Sequence, residues 1–118
     1  QFDNLLQRAI HLAGDRPGRV VVISIPDWGV TPFAAQRLPD ENGRNQQSVA
    51  TDIDLFNNTC NRLAVNYGVH FLYITASQRV DGNKTAYLAS DELHPSGQEY
   101  EKWAVLLADI FVKECSGN

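Results

Sequence analysis

The 118-residue sequence contains no methionine and begins at Gln1. Its first residue is therefore not the product of an ordinary start codon, and the chain is expected to be processed, trimmed or a piece of something longer. A basic excess is missing too: ten Lys and Arg stand against 14 Asp and Glu, interspersed, for a net charge of −4. A nucleic-acid surface needs a basic patch, so that class of partner is excluded. No apolar run approaches the roughly 20 residues that span a bilayer, which excludes a membrane-spanning helix. The three histidines, His11, His70 and His94, show no metal-ligand spacing. With no Gly-rich phosphate loop and no dinucleotide fingerprint, neither a metal nor a cofactor is implied. There are only two cysteines, Cys60 and Cys115, both in predicted helices. They read as small buried hydrophobes, with a disulfide left open, and a single pair identifies no redox compartment.

What is present is ordinary for a globular chain, 43% hydrophobic and 20% charged, which fits one domain or part of a larger one. No repeat, low-complexity tract or linker divides residues 1–118. Phe2, Leu5, Leu6, Ala9, Ile10 and Ala13 follow helical spacing and predict a helix over 2–13, stopped by Gly14. Val20 to Ile25 is nearly unbroken and mostly β-branched, the pattern of a strand buried on both faces of a parallel sheet, and Pro26 ends it. Residues 27–46 read as a long connection that leaves the end of this strand, where open α/β sheets place ligands. Trp28 and Phe33 in it either wall a substrate pocket or fold back onto the core.

Val49, Ile53, Phe56, Cys60, Leu63 and Tyr67 predict a helix over 47–67, with Gln47 or Ser48 at its start and Gly68 at its end. Val69 to Thr75 is a second buried strand, completing a strand–helix–strand crossover. Residues 76–90 are mixed, with a turn at Asp81-Gly82-Asn83 and a short helical piece within Thr85 to Ala89. A last helix is expected from Ser96 to Glu114, with Ser96 and Glu99 as a capping box and Tyr100, Trp103, Ala104, Leu107, Ile110 and Phe111 as its buried face. The triplets starting at Asn57 and Asn83 match the glycosylation acceptor pattern, and chance accounts for both.

Between the second strand and the last helix lies Asp91-Glu92-Leu93-His94-Pro95-Ser96-Gly97. An acid three residues before a histidine can hold one ring nitrogen while the other takes a proton from a nucleophile. The alternative is a polar helix-entry turn whose histidine is incidental. His11 and His70 read as solvated or structural. Of the serines weighed as nucleophiles, Ser24, Ser48, Ser77, Ser90, Ser96 and Ser116, none sits in a Gly-x-Ser-x-Gly elbow or a Gly-Asp-Ser context.

The block from Asp91 to Gly97 resembles the last conserved block of the SGNH, or GDSL-type, esterases and acylhydrolases. Residues Ile23 to Ala34 resemble the strand and loop that precede that block in bacterial members. The likeness covers nearly the whole chain but only about the C-terminal half of the family's usual domain. It implies an α/β fold of three layers, a short parallel sheet flanked by helices, like the C-terminal half of a flavodoxin-like SGNH domain. It also implies that Asp91 and His94 are the acid and base of a Ser-His-Asp triad acting on acyl esters. The family's serine, glycine and asparagine blocks are absent from this sequence. Such a half-domain leaves one edge of the Val20–Ile25 strand without a partner, so a homodimer or the family's N-terminal half is expected to cover it. The alternative function is a catalytically silent oligomerising or binding module derived from such an enzyme. The compartment stays open between bacterial cytoplasm and export.

Overall fold

A computed structural model describes residues 1–117. Helix α1 spans Phe2–Leu12. Its inward stripe is Phe2, Leu6 and Ile10, spaced by four, and Leu6 joins Ala64 and Val69 at the centre of the core. Leu5, expected in that stripe, is one residue off and faces outward. The chain then reverses through two left-handed residues, Gly14 at φ +73° and Asp15 at φ +57°. Glycine takes the first of these without the steric cost of a Cβ.

Strand β1 is Val21–Ile23. It runs parallel to β2, His70–Leu72, in the register Val21↔His70, Val22↔Phe71 and Ile23↔Leu72. Val20, Val22 and Phe71 pack toward α1 and toward the long crossover helix, while His70 on the opposite face reaches the last helix. The result is a mixed α/β fold around a short two-stranded parallel sheet.

Both strands are shorter than the sequence pattern predicts, for a definite reason. After one more backbone bond, Ser24 N–H to Leu72 O at 2.9 Å, the ladder gives way to side chains. Ile25 N–H donates to Asn57 Oδ1 at 2.7 Å, and Ile25 O accepts from Thr75 Oγ1 at 2.8 Å and Asn57 Nδ2 at 3.2 Å. Ser24 Oγ accepts from Ile74 N–H at 2.9 Å and lies 2.8 Å from Thr75 Oγ1. Nor is β1 buried on both faces: Ile23 and Ile25 are 39% and 41% exposed, and no described residue pairs with its second edge.

The connection after β1 is not an open loop. Asp27 Oδ1 accepts from Gly29 N–H at 2.9 Å, capping a 3-10 turn over Trp28–Val30. Thr31 Oγ1 then caps α2, Pro32–Ala35, by accepting from Ala34 N–H at 3.2 Å. Helix α3 spans Gln46–Tyr67. Its N-cap is Asn45 rather than Gln47 or Ser48. Asn45 Oδ1 accepts from Ser48 N–H and Ser48 Oγ from Asn45 N–H, both at 2.9 Å, a reciprocal capping box. Gly68 ends the helix at φ +71°, as its position in the sequence suggests. Val49, Ile53, Asn57 and Ala64 are the buried residues of α3, whereas Phe56 is 64% exposed. The inward position belongs to the polar Asn57, because its amide completes the backbone of Ile25. Burial also rules out Asn57 as a glycan acceptor.

Helix α4, Thr75–Asp81, occupies a stretch that shows no clear period in the sequence. A 3-10 turn follows at Thr85–Tyr87, and α5 spans Gly97–Ser116. The capping box expected for α5 does not form. Ser96 Oγ donates instead to Ala86 O at 2.7 Å, and Glu99 turns inward. Trp103, Leu107 and Ile110 are half-buried, but Tyr100, Ala104 and Phe111 of the expected buried face are exposed. Cys60 is half-buried and Cys115 exposed, and both are free thiols, so only the first resembles a core residue. Among the described residues no helix is long and apolar enough to cross a membrane.

Candidate functional site

The loop that carries Asp91 and His94 is held at its neck by backbone. Leu88 and Pro95 form an antiparallel bridge, Ala89 N–H donates to His94 O at 2.8 Å, and Ser96 N–H to Tyr87 O at 3.0 Å. Inside it, Asp91 Oδ1 accepts from the amides of Leu93 and His94 at 3.0 and 2.9 Å. Such a turn suits an aspartate, whose short side chain bonds the backbone just ahead of it. Glu92, at φ +59°, makes the tight corner possible.

Asp91 Oδ2 is then free to face the imidazole, and lies 2.5 Å from His94 Nδ1. Hydrogen bonding from His94, first through its ring and then its amide, and from the Leu93 amide pushes the Asp91 carboxyl down to about 2. A carboxylate in this position selects the Nδ1–H tautomer and leaves Nε2 as an acceptor. Both side chains are exposed, 48% for Asp91 and 68% for His94, so the pair stands at a rim.

Beside it opens a cleft of about 490 Å³, within the size range of small-molecule sites. Trp28 and Phe33 border it together with His94, Leu88 and Leu93. The two aromatic residues and the histidine thus meet at one cavity, although they are about sixty residues apart in the chain. Arg37 stacks its guanidinium on Phe33, 3.6 Å from the ring centre. The two sides of the cleft are also stitched together: Phe33 N–H donates to Glu92 O at 3.3 Å and Gln36 Nε2 to Glu92 Oε2 at 3.2 Å.

A buried polar cluster fixes the Trp28 side. Asp27, 1% exposed, accepts from Arg79 Nε at 2.8 Å, and Arg79 also reaches Asp54 at 3.0 Å and Ala50 O at 3.2 Å. Gln78 brackets the Asp27 backbone, accepting from its N–H at 2.8 Å and donating to its O at 3.2 Å. These carboxylates raise the Arg79 guanidinium above its ordinary value against the opposing effect of its burial. Sequence reasoning missed Asp27, Asn57, Gln78 and Arg79. The only signal was a polar Asn57 set beside Phe56 on the apolar stripe of α3.

The serines divide clearly. Ser24 is buried and bonded, Ser48 belongs to the α3 cap, and Ser96 and Ser116 donate to Ala86 O and Val112 O. Ser77 and Ser90 are exposed. Among the described residues no serine hydroxyl hydrogen-bonds to His94. The other histidines lie elsewhere. His11 pairs with Asp15 at 3.2 Å on the surface, and His70 Nε2 ties β2 to Glu114 of α5 at 2.5 Å. No protein-family model, curated protein or solved structure matches the chain.

Proposed function

We propose that this chain supplies the acid and base of a Ser-His-Asp triad for carboxylic-ester hydrolysis, as the C-terminal part of a flavodoxin-like, SGNH-type acylhydrolase domain. The observation that carries the reading is the Asp91–His94 pair at the mouth of an apolar cleft, with the carboxylate on Nδ1 and Nε2 left to accept a proton. In the reaction, His94 Nε2 takes the hydroxyl proton as a serine oxygen bonds to the ester carbonyl carbon. It returns that proton to the departing alkoxide when the carbon–oxygen bond breaks. The same two moves, with water as nucleophile, free the acid and restore the serine. Asp91 stays ionised throughout, orienting the ring and stabilising the imidazolium. The serine and the oxyanion donors come from a further segment or chain seated along the open edge of β1.

The test is fluorophosphonate labelling and p-nitrophenyl acetate turnover, on the chain alone and on the complete gene product, each with His94→Ala. The expected result is a labelled serine outside residues 1–118 whose labelling disappears in His94→Ala. An unlabelled complete product, or labelling that His94→Ala leaves intact, would overturn the reading.

A second reading, a binding or oligomerising module with no activity of its own, draws on a different observation. The second edge of β1 has no described partner, and the apolar side chains of Ile23 and of Ile25 just after it stand exposed. A second copy of the chain is the simplest cover.

A further inference from the structure

Most of the cleft's lining is carbon. Pro26, Phe33, Leu88, Leu93 and Pro95 present rings and branched side chains to it. Five side chains with polar heads, Trp28, Gln78, Tyr87, His94 and Glu99, also border the cavity, and the two buried ones, Gln78 and Glu99, are already engaged. Gln78, 5% exposed, has its amide oxygen and nitrogen on the backbone of Asp27. Glu99, 2% exposed, accepts the Trp103 indole N–H on Oε1 at 2.9 Å, while its Oε2 accepts no hydrogen bond and is balanced by the charge of Lys102 Nζ at 2.7 Å. Lys102 is held from its other side by Asp81 at 2.9 Å. The charges behind the wall therefore neutralise one another.

Two kinds of ester meet this wall differently. A sugar or polyol portion would bury more hydroxyls than the Trp28, Tyr87 and His94 heads can pair, at a cost of roughly tenfold in affinity or more for each one left unpaired. An alkyl chain loses no hydrogen bond on entry and gains about fourfold in affinity per methylene removed from water. His94 stands at the rim, where a carbonyl attached to such a chain would lie.

We infer that the cleft selects the apolar acyl or aryl portion of a neutral ester and discriminates against acetylated sugars. This assignment of substrate class rests on the hydrolase reading of Asp91 and His94.

The experiment is an NMR titration of the intact chain with methyl butanoate, methyl hexanoate and methyl octanoate, with 6-O-acetylglucose as comparator. The Trp28 indole and Leu93 amide signals should shift with the methyl esters. Affinity should climb about 16-fold for each two-carbon step until the cleft is filled. The acetylated sugar should leave both signals unmoved at matched concentration. Leu93→Ser and Leu88→Ser, each checked for a retained amide spectrum, should weaken methyl octanoate by roughly tenfold. Affinity independent of chain length, shifts confined to the β1 edge, or equal binding of 6-O-acetylglucose would overturn the inference. Binding needs no serine, so the two proposals fail separately. A flat series removes the acyl cleft alone, and a steep series without labelling in the complete product removes the hydrolase reading alone.

Discussion

Asp91 meets three donors with two oxygens, and all three belong to the next three residues of the chain. Its folded value of about 2 lies below the ~3.9 of an unfolded aspartate. Ionised Asp91 therefore stabilises the loop fully above about pH 4, and that contribution is lost as pH falls through about 2. The Leu93 and His94 amide resonances should titrate together with a midpoint near 2, and Asp91→Asn should abolish the step. A midpoint near 3.9 would mean the carboxylate is not bonded as described. This site was legible in the sequence because its parts are local: an acid, a corner and a histidine within four residues. Glu99 was not legible. Three residues after Ser96 it has the spacing of a cap, but Trp103 one turn later offers an indole N–H, and the carboxylate turns inward to it.

Among the elements, α3 and α5 were readable as helices from their apolar period, and Gly68 marked the end of α3. The strand ends were not, since β-branched runs show where extended chain is favoured but not which groups complete its hydrogen bonds. Asn57 supplies that completion from α3. Asn57→Ala should cost about 1–3 kcal/mol in urea denaturation, because the partly buried Ile25 N–H and O lose their Asn57 partner. Asn57→Asp should not restore stability, since a carboxylate cannot donate to Ile25 O. A loss below about 0.5 kcal/mol in both would show that water replaces the amide without penalty. Helix α4 went unread for a related reason: its buried residues, Thr75 and Gln78, are polar and leave no hydrophobic period.

The molecule as a whole is flat, measuring 49 × 30 × 19 Å, with a radius of gyration of 16.1 Å. A compact chain of this length would have a radius near 13.5 Å. It exposes 7598 Å², where a folded monomer of 13.1 kDa exposes about 6400 Å². The excess of about 1200 Å² is larger than the ~800 Å² that one partner contributes to an ordinary stable interface. The excess belongs to the whole surface, and it leaves room for the cover proposed at the β1 edge. The isolated chain should self-associate at micromolar concentration in size-exclusion chromatography with light scattering, and Ile23→Lys should shift it toward monomer. A well-folded monomer at those concentrations would sink the idea of a second copy as the cover.

The bonds from Phe33 and Gln36 to Glu92 give the cleft a mechanical character. Its two lips carry the aromatic wall and His94, and two hydrogen bonds tie them across the gap. Separating them would break the Phe33–Glu92 bond at the same corner residue whose left-handed backbone sets the direction of His94. A guest would therefore meet the aromatic wall and His94 already set side by side, with no closing motion needed to bring them together.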